Sequence, residues 1–263
     1  MNKKHLTVKK LNGSNLKDVM GLQDRIIAGL NPDEQHFILH RTERDYMKSL
    51  NGKTSHMLGV FDEDLLIAQI VYCLPENNEQ RDMPEFKSNT PNEELVIFEA
   101  ILVDPEYRGS SLMKKMLEYI EKNEIDSKRT HSIIQIAIDN PASWINALHH
   151  GMQITKVDQD PTDGVKVIYL EKEINKKQTP YTKFIQENST TYSMLLGDNI
   201  HKKIPSLFMK MQHLIKTGYK GISLNKETKS LIWQKEPNEK TKSMLFNPLE
   251  YKKLERLAKT GTL

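Results

Sequence analysis

Apolar residues in the first 174 positions recur with two distinct periods. His5 to Lys10 alternates as a strand does, and Ser14 opens a helical stripe that runs to about Leu30. Thr42 caps a shorter helix to about Leu50, and Met57–Phe61 and Leu65–Leu74 predict two strands around the acidic turn Asp62-Glu63-Asp64. Pro75–Glu94 is nearly devoid of apolar residues, which predicts a long loop of the kind that forms lids or stays disordered. A strand over 95–103, a helix over 109–124, a strand over 131–138, a helix over 141–150 and strands near 152–158 and 165–173 follow. In the first of these helices Leu112, Met113, Met116, Leu117 and Ile120 share one face, and Lys114, Lys115, Glu118, Glu121 and Lys122 share the other. In the second, Asn140 caps, Pro141 takes the first position, Trp144, Ile145 and Leu148 form the buried stripe, and Gly151 ends it. Strands alternating with helices predict an α/β fold with a mixed sheet.

The last third is patterned differently. Tyr181–Leu196 predicts a helix, interrupted by Gly197-Asp198-Asn199, and Ile204–Lys216 an amphipathic helix ended by Gly218, with Met209, Met211, Leu214 and Ile215 as its core residues. Tyr219–Leu224 and Ser230–Gln234 predict a hairpin, and Leu249–Leu257 a last short helix before a disordered tip. The run "LIKTGYKGISLNKETKSLIWQ" echoes the helix–glycine–strand–strand order of "ALHHGMQITKV" and "VKVIYLEK", which suggests a half-domain that packs against the sheet or a neighbour.

One junction carries chemistry. The strand ending at Val103 stops at Asp104-Pro105 and is followed by the small-residue turn Arg108-Gly109-Ser110-Ser111 and the helix beginning near Leu112. The first amides of a helix lack intrahelical acceptors, and its dipole places positive potential there. Small side chains let a phosphate approach the backbone. This predicts a phosphate-bearing ligand over Arg108, Gly109, Ser110, Ser111, Leu112 and Met113. Ser111 serves if its φ is negative; a positive φ would cost a non-glycine residue on the order of 1 kcal/mol or more.

Val103, Pro105, Tyr107, Arg108 and Gly109, with Asn140, Ser143, Gly151 and Met152 about 30 residues on, resemble the two acetyl-CoA motifs of the GCN5-related N-acetyltransferases, the GNAT superfamily. The resemblance covers roughly residues 4–174. Ser111 stands where the pattern has its central glycine, Met113 where it has a small residue, and Ala147 where it often has a tyrosine that protonates the CoA thiolate. The family fold is a mixed central sheet with helices on both faces. The resemblance implies pantetheine along Ile101, Leu102 and Val103 in a gap between the fourth and fifth strands, pyrophosphate on the 108–113 turn, and Asn140 and Ser143 beside it. It also implies Glu99, the one ionisable side chain in Leu95–Val103, as general base for a primary amine; the alternative is a strand carboxylate that faces solvent or an arginine of the same chain. For the general acid, His149 and His150 fit surface capping better than catalysis, leaving a tyrosine from elsewhere or water.

Charge divides the chain. Residues 1–174 hold 21 Lys+Arg against 28 Asp+Glu, and residues 175–263 hold 17 against 7. The expected organisation is an acetyltransferase domain over 1–174 and a basic α+β extension over 175–263, joined near Asn175–Pro180. Packing within the chain or in a homodimer is favoured over nucleic acid as the use of that charge. The apolar runs are too short for a membrane span, the first residues lack a signal-peptide core, and the single Cys73 reads as a core residue of a cytoplasmic protein. The scattered histidines predict no metal site. The expected activity is acetyl-CoA-dependent N-acylation of an amine. The alternatives are a non-catalytic acyl-CoA-binding module and a tethering protein acting through its basic tail.

Overall fold

A computed structural model describes residues 6–30, 38, 40–76, 90–161, 163–174, 190–196 and 203–235. The elements of the first part are β1 (Leu6–Lys10), α1 (Leu16–Ala28), α2 (Glu43–Asn51), β2 (Ser55–Asp62), β3 (Leu65–Cys73), β4 (Leu95–Val103), α3 (Leu112–Asn123), β5 (His131–Ala137), α4 (Pro141–His149), β6 (Gln153–Gln159) and β7 (Lys166–Glu173). They are followed by β8 (Thr190–Leu195), α5 (Ile204–Lys216), β9 (Tyr219–Asn225) and β10 (Ser230–Lys235). The strands form one sheet in the order β1-β2-β3-β4-β5-β7-β6-β9-β10-β8. Among the described strands only β4 and β5 pair in parallel, and α3 makes the crossover that a parallel pair requires. The mixed sheet is the one the acetyltransferase resemblance implied, and the elements through β7 follow one another along the chain as the apolar pattern predicted.

Helices cover both faces. On one, Val19, Leu22 and Ile26 of α1 and Tyr46 and Leu50 of α2 pack with Met57, Phe61, Leu66 and Val71. On the other, the predicted stripe of α3 and Trp144, Ala147 and Leu148 of α4 pack with Val96, Phe98, Ile134 and Ile168. β4 is buried on both sides over Leu95–Phe98, which explains its unbroken apolar run.

Four expectations need correction. Asn12, not Ser14, caps the first helical segment: its side chain accepts from the Ser14 amide and opens a short 3₁₀ turn ahead of α1. The helix predicted from residue 109 starts at Leu112, because Gly109 (φ 77°) and Ser111 (φ 60°) are left-handed and cannot belong to it. Thr190–Leu195 is a strand, not the end of a helix, and pairs antiparallel with β10 along its whole length; residues 181–189 of that expectation lie outside the described residues. Met209 is exposed, whereas Met211 and Leu214 are buried. The loop over 77–89, the junction over 175–180 and the helix over 249–257 also fall outside the described residues.

The echo in the last third is structural. β9 adds to the free edge of β6, and Met194, Leu207, Met211, Leu231 and Trp233 belong to the same buried cluster as Trp144 and Ile154. Among the described residues no helix is long and apolar enough to cross a membrane, and no cluster of three or more His, Cys, Asp and Glu could hold a metal ion.

Candidate active site

β4 loses one of its two partners halfway along its length. Tyr72 pairs with Phe98 and Ile70 with Ile101, so Val71 alone faces both Glu99 and Ala100. This is a β-bulge, which bends its strand and ends the local pairing. The parallel register with β5 stops there, at Phe98↔Ile134. Beyond it β4 stays paired with β3 to Val103, while β5 stays paired with β7 to Ala137. The two strands splay, and the gap is a cleft of about 220 Å³ between Glu99–Leu102 and Ile134–Ala137. A second cavity of about 310 Å³ shares Ile101, Leu102, Met113, Asn140 and Ser143 with it and is also lined by Val103 and Arg108.

The turn at the outer end of this cleft is held from behind. Asp104 caps a 3₁₀ turn over Pro105–Tyr107 and accepts from Arg25 Nε at 3.2 Å, while Arg25 Nη2 donates to the Leu66 carbonyl. The Tyr107 hydroxyl donates to Asp62, so that residue of the acidic turn anchors the loop as well as meeting solvent. The first α3 backbone bond runs from the Lys115 amide to the Ser111 carbonyl, and the amides of Leu112, Met113 and Lys114 have no acceptor within the helix. Gly109, Ser110 and Ser111 are exposed, and a Cβ at Gly109 would meet nothing within 4 Å. Leu112 buries its side chain in the core, so its contribution at the surface is its backbone. Ser111 does not satisfy the negative φ expected of it. At φ 60° and ψ 27° it takes the conformation that a glycine would take without steric cost. Ser111→Gly is therefore expected to leave the turn intact and raise stability by up to about 1 kcal/mol, and Ser111→Val to lower it; thermal denaturation of both variants checks this.

Glu99 lies inside the cleft, but it does not face it alone. Arg41 Nη2 donates to Glu99 Oε2 at 2.8 Å, and Cys73 Sγ donates to Oε1 at 2.9 Å. The Arg41 and Glu99 side chains are 17% and 16% exposed, enough burial to make this ion pair stronger than a surface one. Arg41 is itself fixed by a buried polar chain. Gln69 Nε2 donates to the Tyr46 hydroxyl at 3.0 Å, which donates to Gln23 Oε1 at 2.9 Å. Gln23 also accepts from the Arg41 amide and donates to its carbonyl, both at 3.0 Å. Burial pushes the Tyr46 phenol above its usual range, against the opposing hydrogen bond from Gln69, so it remains a protonated donor at neutral pH.

Asn140 both lines the cleft and caps α4, accepting from the Ser143 amide at 3.2 Å. Ala147 is fully buried. His149 is exposed, and slight desolvation together with the nearby Lys226 and Lys114 lowers its pKa. His150 is not a surface residue. It is buried against Glu121, with Nε2 2.8 Å from Oε1, and Lys172 Nζ donates to the other Glu121 oxygen at 2.6 Å. The structure thus brings Ile101, Leu102, Met113, Asn140 and Ser143 around both cavities, Glu99 around the first only and Val103 and Arg108 around the second only. Arg41, Tyr46, Gln23 and Gln69 were missed, because their link to Glu99 crosses from helices α1 and α2 to the sheet and leaves no local pattern.

No protein-family model matches this chain, and no curated protein matches it. Similar solved structures include an acetyltransferase of the GNAT family from Streptococcus pneumoniae, at 13% identity over 65% of this chain and 100% of that one, with a TM-score of 0.49. The ribosomal-protein-S18-alanine N-acetyltransferase of Escherichia coli is 13% identical over 66% of this chain and 96% of its own, with a TM-score of 0.49. The PaiA N-acetyltransferase of Thermoplasma acidophilum, solved in complex with coenzyme A, is 15% identical over 64% and 98%, with a TM-score of 0.46.

Proposed function

We propose that this protein is an acetyl-CoA-dependent N-acyltransferase acting on a primary amine. The observation that carries the reading is the bulge at Glu99–Ala100. It leaves the backbone of Ile101–Val103 on the β5 side facing a cleft that leads out to a helix N-terminus with open amides. An elongated ligand with a diphosphate near one end and an acyl group at the other fits that shape. The amides of 112–114, with Gly109 leaving the approach clear, would take the diphosphate. The main chain of 101–103 would pair with amide groups of the pantetheine arm as a strand partner would. Bound there, acetyl-CoA supplies an activated acyl carbon.

Glu99 then stands at the inner end of the gap. As the amine nitrogen bonds to the acyl carbon, Glu99 accepts the amine proton, the carbon–sulfur bond breaks and the thiolate takes a proton from water. Arg41 holds Glu99 pointed into the cleft, and the Gln69–Tyr46–Gln23 chain keeps Arg41 in place.

One observation favours a second reading. Both oxygens of Glu99 already accept hydrogen bonds within the chain, as they would in a module that binds acyl-CoA without turning it over.

Calorimetric titration with acetyl-CoA tests the shared premise. Ser111→Asp puts a negative charge on the turn in a conformation that aspartate tolerates. It is expected to weaken binding about tenfold or more, which is ~1.4 kcal/mol, without unfolding the protein. Equal affinity in the variant, or absence of heat with the native chain, would remove the ligand assignment.

A further inference from the structure

The strand order contains a palindrome. β5-β7-β6 is followed by β9-β10-β8, and in chain order each half reads strand, helix, strand, strand: β5–α4–β6–β7 and then β8–α5–β9–β10. Both helices carry a proline in their first turn. Both end at a left-handed glycine, Gly151 and Gly218, each at φ 89°. The Gly151 amide bonds to the Leu148 carbonyl and the Gly218 amide to the Ile215 carbonyl, so the closing bond is the same in each. In both hairpins the ladder slips at the fourth residue after that glycine. Thr155 is skipped between Ile154↔Leu170 and Lys156↔Tyr169, and Ile222 is skipped between Gly221↔Trp233 and Ser223↔Ile232.

The contact between the halves obeys the same equivalence. Two copies of a strand related by a twofold axis normal to a sheet pair antiparallel, and the residue on the axis lies opposite its own counterpart. The recorded β6–β9 pair is Ile154↔Gly221, and each of these residues is the third after its helix-ending glycine. The packing is reciprocal as well: α4 lies against β9, and α5 lies against β6. A helix–hairpin unit added without symmetry has no reason to produce these agreements together.

We propose that residues 190–235 are a second copy of the unit formed by residues 131–173, docked on the first across a local twofold axis. It occupies the place that a second subunit would take at the β6 edge. An uncovered β6 would present a row of unpaired amides and carbonyls; the chain covers it with its own duplicate. The copy is not a second ligand site. Among the described residues the copy has no counterpart of the strand, turn and helix of Leu95–Asn123. The inference does not depend on the acyl-transfer reading.

The test is an exchange of side chains across the axis in the full chain. A Cβ at Gly221 would lie 3.1 Å from Ile154 Cβ and from Ile154 Cδ1, so Gly221→Ile is expected to push β9 off β6, lower the melting temperature and uncover an edge through which the chain self-associates. Combining it with Ile154→Gly hands the same volume to the equivalent position. The double variant is expected to recover at least half of the lost melting temperature and to be monomeric by light scattering, like the native chain. Losses that simply add, or a double variant that fails to fold, overturn the equivalence. The milder set Gly221→Ala, Ile154→Val and their combination repeats the comparison should Gly221→Ile alone not fold. A native chain that is itself a dimer overturns the claim that the copy stands in for a second subunit.

Discussion

Glu99→Gln is expected to reduce acetyl-CoA turnover with a suitable amine by about 10²–10⁴-fold, the range for loss of a positioned general base, while CoA affinity stays within a factor of a few. The amide keeps the shape of the carboxylate and can still accept from Arg41, so the cleft should survive. Arg41→Gln separates holding from proton transfer. If Arg41 acts through Glu99, its loss shifts the pH profile and lowers kcat at constant CoA affinity; if it touches the acceptor, KM for the amine rises instead. Retained turnover in Glu99→Gln sinks the base assignment. Tight CoA binding by the native chain, with no turnover on any amine tried, selects the binding-module reading suggested by the two occupied Glu99 oxygens.

The second large effect lies beneath the other face of the sheet. Glu121 on α3 receives Lys172 from β7, His150 from the end of α4 and the Ser132 hydroxyl from β5. Burial would raise its carboxyl, but the hydrogen bonds and charges of His150 and Lys172 outweigh this and hold it below the ordinary 4.5. Glu121→Ala strips that anion from half-buried Lys172 and buried His150, an uncompensated loss expected to cost about 3 kcal/mol. For a chain of this size that corresponds to a fall in melting temperature of roughly 6–12 °C. The pH dependence has a definite sign. A carboxyl lowered in the folded state binds fewer protons there than in the unfolded chain, so its contribution is fully present above pH 4.5 and drains away as pH falls below it. The native protein should therefore lose more stability between neutral pH and the range below 4.5 than Glu121→Gln does. Parallel acid denaturation curves for the two proteins would contradict this account.

His150 shows why such a site escapes sequence reading. Two adjacent histidines at the end of an amphipathic helix look equivalent, yet one reaches solvent and the other turns into the sheet. Which one turns inward is decided by the left-handed Gly151 and by where α3 and β7 set Glu121 and Lys172. The same holds for Arg41. Nothing in its neighbourhood distinguishes it from Arg44, and its role follows from meeting a carboxylate 58 positions away. Ser111 is a milder case. Its place at a helix start was legible, but the sign of its φ depends on the path from a turn anchored by Arg25–Asp104 and Tyr107–Asp62.

Apart from the cap of the first helix and the start of α3, the strands and helices of residues 6–173 were determined by the sequence alone, because period-two and period-3.6 apolar patterns, Thr42 and Asn140 as caps, and Gly151 as a stop are local signals. The expected positions of the anion turn and of Glu99 were local in the same way. Only the tertiary structure decided what Glu99 touches, where β4 leaves β5, and that the last described strands continue the sheet from β6. Those outcomes depend on contacts between residues far apart in the chain, and a bulge, an ion pair or an edge pairing leaves no period in either partner for a sequence to display.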